Sequence, residues 1–114
     1  MELLKKKISL TELQEMATRT FGNLVKAVVD VERNLLVVDA ELHADQETFL
    51  LENGSRQGDL WGINLYPEFP KSDENFVEFD SMINIRPLAD NKSRSVDNPE
   101  IRAKILRIVG DWVQ

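Results

Sequence analysis

The sequence of 114 residues contains no cysteine and a single histidine, His43. Missing cysteines exclude disulfides, thiolate zinc sites and cysteine nucleophiles. A single histidine also excludes the two-histidine zinc motif of metalloproteases and the two-histidine iron triad. We therefore expect no metal site and no cofactor, and we expect the protein to work in the reducing cytoplasm.

Long apolar runs and an excess of positive charge are missing as well. The basic residues Lys5, Lys6 and Lys7 are followed by polar residues from Thr11 onward, which is not typical of a secretory signal. No apolar segment reaches the length of a membrane span. The formal net charge of -6 repels phosphate backbones. The sequence therefore predicts neither a membrane nor a nucleic-acid partner.

The composition and length are those of an ordinary globular protein. Hydrophobic residues make up 42% of the chain and charged residues 30%, which is sufficient to build a core. The length is close to the commonest size of one folding unit. We predict a single domain that spans residues 1–114.

Three segments have the apolar periodicity of helices. The first begins after Ser9, which can form a capping box with Glu12. The second spans residues 43–53 and ends before Gly54, and the third begins with Asn98 as cap and Pro99 as first helical residue. The apolar stripe of the third helix contains Ile101, Ile105, Ile108, Val109 and Trp112. Such stripes predict helices that cover a sheet.

Two strand pairs alternate with these helices. The runs 25–31 and 35–40 flank a polar triplet that ends in Asn34, which predicts a hairpin. The runs 60–66 and 76–86 alternate apolar and polar residues and are each followed by proline, which predicts a second hairpin with a long tip. The predicted fold is α+β in the order α-β-β-α-β-β-α, a mostly antiparallel sheet with helices packed on one face.

Five short strings are more specific than these general patterns. The chain resembles a family of short prokaryotic proteins catalogued only as a domain of unknown function, and the resemblance covers nearly the whole chain. It implies one cytoplasmic domain and assigns no functional residue. The strings are VKAVVD at residues 25–30, ELHAD at 41–45, NGS at 53–55, WGINLYP at 61–67 and INIRP at 83–87.

A cluster of acidic residues surrounds His43. If the chain is extended there, Asp39, Glu41, Asp45 and Glu47 share one face with His43 and form a carboxylate-rich site. If a helix begins near residue 45, Asp45 is a cap instead, and His43 lies one turn from Glu47 only when both are helical. We favour the structural interpretation, because acids gather at helix starts without binding a ligand.

A second candidate site consists of amides, a tyrosine and arginines on the second hairpin and the loop after it. Arginine and amide donors suit an anion or a carboxylate ligand. The alternative is a structural network in which amides satisfy loop backbone. In that network, Arg86 is expected to pair with Glu41, Asp45 or Glu47. The candidate residues are Asn64, Tyr66, Asn84, Arg86 and Arg94.

Two function hypotheses follow. The first is a binding or interaction module for a protein partner or a second copy of the chain, which uses the sheet edge or the 66–70 loop. The alternative is a small hydrolase or transferase that acts on an anionic small molecule, with His43 or Glu47 as base and Arg86 as stabiliser of negative charge. The sequence favours the module, because it contains no nucleophile–base motif. A pocket lined by His43, Glu47 and Arg86 together would favour the enzyme.

Overall fold

A computed structural model describes residues 1–114. It contains three helices and one antiparallel sheet in which the strand order is β1-β3-β2-β4-β5. No helix is both long and apolar enough to cross a membrane. The elements are β1 (Glu2–Leu3), α1 (Leu10–Arg19), β2 (Val25–Asp30), β3 (Leu35–Ala40), α2 (His43–Glu52), β4 (Leu60–Leu65), β5 (Val77–Glu78) and α3 (Pro99–Trp112).

The predicted helix caps are confirmed. The Ser9 hydroxyl accepts the N–H of Glu12 at 3.1 Å, and the Asn98 side chain accepts the N–H of Glu100 at 2.8 Å. Such bonds satisfy the N–H groups that the first turn of a helix leaves unpaired. The first hairpin is also confirmed: β2 pairs with β3, and Asn34 in the turn has a φ of 56°.

Both faces of the sheet are covered by helices. The larger apolar cluster, of 20 buried residues, joins Ala27 and Val29 of β2 to α1 and α3. A smaller cluster joins Val28 on the other face to Leu50 of α2 and to Leu60. The predicted α+β class and antiparallel sheet are confirmed, and packing on one face holds for α1 and α3. Helix α2 lies on the opposite face, because consecutive apolar residues in β2 make both faces apolar.

The second hairpin is much shorter than predicted. The expected strand over 76–86 was wrong: β5 contains only Val77–Glu78, and 3-10 turns follow at Met82–Asn84 and Pro87–Ala89. Beyond β5, the Asn84 side chain accepts the Gly62 N–H at 2.8 Å and donates to the Gly62 C=O at 3.0 Å. Arg86 donates to the C=O of Leu60. Side chains therefore replace the expected strand at the outer edge of β4.

The two tryptophans differ in burial. Trp61 is buried on the larger cluster, as its position in β4 predicts. Trp112 is only half-buried, because it lies in the last turn of α3 and covers the first hairpin. Its indole N–H donates to the C=O of Asn34 at 2.9 Å.

Replacing Gly62 with alanine should destabilise the protein. The new Cβ would lie 2.6 Å from Cβ and Oγ of Ser81 and 3.2 Å from Cγ of His43. Overpacking of this kind lowers the free energy of unfolding by about 2 kcal/mol. Urea denaturation measures the loss, and Gly58→Ala is the matched control because no heavy atom lies within 4 Å of its added Cβ. Equal stability of the two variants would contradict the close packing at Gly62.

Candidate functional site

His43 lies at the start of α2 and is held against β4. Its Nε2 is 2.7 Å from the C=O of Ile63, and since a carbonyl only accepts, Nε2 carries the proton and Nδ1 is an acceptor. Burial lowers the pKa of His43 from 6.5 to about 4, and the bond to Ile63 opposes that shift. The positive charge of Lys26 lowers the pKa further. The imidazole is therefore neutral at neutral pH.

Arg86 makes its hydrogen bonds through Nη2 alone, while its Nε and Nη1 are buried without a hydrogen-bond partner. Its guanidinium lies 3.5 Å from the Glu47 carboxylate and donates to the C=O of Leu60. It also lies over the Trp61 ring, 4.7 Å from the ring centroid. Burial lowers the pKa of Arg86, and Glu47 opposes that shift. The predicted pairing of Arg86 with an acid of the 41–47 segment is confirmed through Glu47.

The enzyme candidates lie along one interface but bind separate partners. His43 and Glu47 are one helical turn apart on α2. His43 contacts Ile63, whereas Glu47 contacts Arg86. Glu41 and Asp45 are exposed to solvent, and Asp39 lies 4.0 Å from Arg19. No group of three or more histidine, aspartate or glutamate side chains in the chain could hold a metal ion.

In the second candidate site, Asn64 and Tyr66 form one group and Arg94 lies apart from them. The Asn64 amide and the Tyr66 hydroxyl both donate to one oxygen of Glu78, at 2.8 Å and 2.9 Å. Burial raises the pKa of Tyr66 to about 12, and the bond to Glu78 adds to that shift. Arg94 lies in the loop before α3 and pairs with Asp80, with 2.5 Å between Nε of Arg94 and Oδ1 of Asp80. These contacts leave Asn64, Tyr66 and Arg94 bonded to acids of the protein itself.

Asn84 belongs to a buried network of hydrogen bonds. Its partner in this network is Asn91, a residue that was not predicted from the sequence. Asn84 donates to the C=O of Arg94 as well as to that of Gly62. Asn91 donates to the C=O of Asn84 and of Ser95, both at 2.8 Å. The two amides hold the 84–97 loop in place. The sequence carried one signal, an asparagine between the charged residues Asp90 and Lys92.

A groove of about 660 Å³ lies between β5 and α3. The 71–75 turn forms one end, and the apolar side chains of Val77 and Phe79 line the β5 side. One face of α3 forms the opposite wall. That face contributes Arg102, Leu106, Val109 and Gly110.

Side chains with fixed positions border this groove. The Arg102 guanidinium lies 4.5 Å from the centroid of the Phe79 ring and donates to the Ser95 hydroxyl. Lys71 donates to the C=O groups of Gly110 and Val113 at the end of α3. Leu106 is 49% exposed although its side chain is apolar. The groove therefore combines a held rim with an accessible apolar wall.

The groove lies beside a free strand edge. β5 is the last strand of the sheet. The N–H of Tyr66 donates to the C=O of Phe76, and Asn64 is the partner of Glu78. Because backbone groups alternate in direction along an antiparallel pair, those of Val77 and Phe79 are directed away from β4. An extended chain could pair with them.

The groove was not predicted from the sequence. The module hypothesis named the sheet edge and the 66–70 loop, but Pro67 is buried and Phe69 packs on the larger cluster. That loop therefore presents little apolar surface. Leu106 carried a signal, since it lies outside the predicted apolar stripe of α3.

The comparisons with known proteins identify a family. A family model described as "Protein of unknown function (DUF5674)" matches residues 2–112. The chain belongs to this family. The match spans every helix and strand described above and supports the predicted resemblance to a domain of unknown function. Neither the curated proteins nor the solved structures contain a significant match.

Replacing Arg86 with methionine should lower the free energy of unfolding by about 3 kcal/mol, because Glu47 would be left without its partner. Both side chains are at least 85% buried, with exposures of 11% and 15%. The double variant Arg86→Met with Glu47→Leu should recover most of this loss, since it removes the stranded carboxylate. Urea denaturation gives both values. Full stability of Arg86→Met combined with loss of binding to a small anion would instead make Arg86 a ligand contact.

The pKa of His43 should be visible directly, because the chain has only one histidine. Its folded pKa of about 4 lies below the unfolded value of 6.5, so the unfolded state binds the proton first. Stability is then complete above pH 6.5 and falls by about 3 kcal/mol as the pH drops to 4. Proton NMR of the single imidazole should show no titration between pH 7 and 5. A His43→Gln variant should lose less stability over this range, and a midpoint near 6.5 would contradict the buried neutral imidazole.

Proposed function

We propose that the protein is a binding module that takes an extended segment of a partner protein into the groove between β5 and α3. The observation that carries this proposal is the free edge of β5 beside an apolar groove. Strand addition to a sheet edge is a common mode of peptide recognition, in which backbone bonds supply affinity and side-chain pockets supply specificity.

The backbone step uses the exposed edge at Val77 and Phe79. A segment that pairs with this edge gains hydrogen bonds to groups that otherwise face solvent. The free edge is short, because the Ser81 N–H already donates to the C=O of Arg94 and the 71–75 turn closes the other end. The free part of the β5 edge is therefore long enough to pair with a few residues of a partner segment, but not with a whole strand.

The side-chain step uses the apolar wall of α3. Alternate side chains of a bound strand point to opposite faces. Those on the α3 side would pack between Phe79 and Leu106, while Arg102 lies over Phe79 at the rim. We expect an apolar residue of the partner at this position, because the exposed part of Leu106 would be buried by it.

The other predictions belong to the same proposal. We keep the cytoplasm as the location and exclude nucleic acid as a partner, on the grounds of the cysteine-free sequence and the net charge of -6. The enzyme alternative has less support, since His43, Glu47 and Arg86 are each engaged by groups of the protein itself.

Selection from a displayed library of random dodecapeptides tests the proposal. Enriched peptides should bind the parent protein and shift the amide NMR signals of Val77, Phe79 and Leu106. Leu106→Glu should weaken their binding at least tenfold, about 1.4 kcal/mol, because it places a charge in the apolar wall.

The matched control is Phe21→Glu, which replaces another exposed apolar side chain outside the groove. It should leave the affinity for the peptides unchanged. Thermal denaturation checks that both variants are folded. Peptides that bind Leu106→Glu as well as the parent, or that shift only signals elsewhere, would overturn the proposal.

A further inference from the structure

We propose that a second surface, between α2 and the 82–89 segment, binds a cationic amphipathic helix of a partner protein. We call this surface the α2 ridge and define it by Leu42, Met82 and Ile85. Ile83, between the last two, packs with Leu50 of α2 on the smaller apolar cluster, so the ridge is separate from the groove between β5 and α3.

The α2 ridge exposes large apolar side chains. Leu42 is 58% exposed, Met82 64% and Ile85 37%. Met82 and Ile85 are three residues apart in the chain. Scattered apolar residues are normal on a protein surface, whereas a contiguous group marks an interaction site.

Contacts below the surface bring these side chains together. Ser81 and His43 both pack against Gly62: a Cβ built on Gly62 would lie 2.6 Å from Ser81 and 3.2 Å from Cγ of His43. Met82 follows Ser81 and Leu42 precedes His43, so the chain segments that carry these two apolar residues lie close together near Gly62. The bond between Arg86 and Glu47 fixes the adjacent part of the segment against the next turn of α2.

The fold prevents these side chains from turning inward. Ile83 packs on the smaller apolar cluster, and Asn84 is fully buried against Gly62. A 3-10 helix has three residues per turn, so Met82 and Ile85 lie on the same side, away from these two residues. Their exposure is therefore a consequence of how Asn84 and Ile83 are bound.

Charge identifies the partner as cationic. Helix α2 contains Asp45, Glu47 and Glu52 and no lysine or arginine, and Glu41 precedes it. Glu47 is used by Arg86, which leaves the other three exposed acids without an ion pair. A partner that covers the apolar side chains would be attracted by these carboxylates if it carries lysine or arginine.

The backbone identifies the partner as a helix rather than a strand. Helix α2 satisfies its own backbone, and the 82–89 segment is closed by 3-10 turns and by the Arg86–Asn91 bridge. The ridge therefore offers no free edge for strand addition. Recognition must use side chains, as when the apolar face of an amphipathic helix packs on an apolar surface.

A synthetic 18-residue peptide with leucines on one helical face and lysines on the other is the probe. Fluorescence anisotropy should show binding to the parent protein, and a peptide with glutamate in place of lysine should bind at least tenfold more weakly. The double variant Met82→Ser with Ile85→Ser should lose at least tenfold in affinity. Asp45→Lys with Glu52→Lys should also lose at least tenfold without touching the apolar side chains.

Phe21→Ser is the matched control and should bind like the parent, since Phe21 is exposed outside both surfaces. Thermal denaturation confirms that each variant is folded. Equal binding of the lysine and glutamate peptides, or of the parent and the double serine variant, would overturn the proposal. So would a parent dimer that the serine substitutions dissociate in sedimentation, or apolar-dependent binding to neutral lipid vesicles, because each would assign the ridge another occupant.

Discussion

The outer edge of β4 is the constraint on which the second half of the structure depends. All six residues of β4 are buried, so backbone groups on its outer edge need partners within the protein. β5 pairs only with Asn64 and Leu65. The amide of Asn84 serves both backbone groups of Gly62, and Arg86 serves the C=O of Leu60. Gly62 permits this arrangement because it has no Cβ to collide with Ser81.

Both proposed binding surfaces arise from this way of completing the edge. Because side chains replace a strand, β5 ends after two residues and its own outer edge remains short and free beside α3. Because Asn84 turns inward, Met82 and Ile85 on either side of it turn outward. One solution to backbone pairing therefore creates a groove on one side of the sheet and an apolar ridge on the other.

The sequence predicted the features that depend on near neighbours. The caps at Ser9 and Asn98 and the hairpin turn at Asn34 are set by residues a few positions away, and they were predicted correctly. The 76–86 strand was predicted incorrectly. Apolar and polar residues alternate over this segment as they do in a strand, but the alternation does not reveal that the Asn84 side chain, instead of a strand backbone, pairs with β4. The partner of Arg86 was predictable, since a buried guanidinium needs a carboxylate and the 41–47 segment is rich in them. The groove was not, because it depends on how α3 packs beside β5.

The distribution of charge favours a cationic partner at the ridge and not at the groove. Helix α2 carries only acids, whereas the groove is lined by Lys71 and Arg102 together with Asp73 and Glu74. A cationic helix is therefore attracted to the ridge and gains little from charge at the groove. Since the sheet separates the two sites, a segment in the groove and a helix on the ridge would not collide.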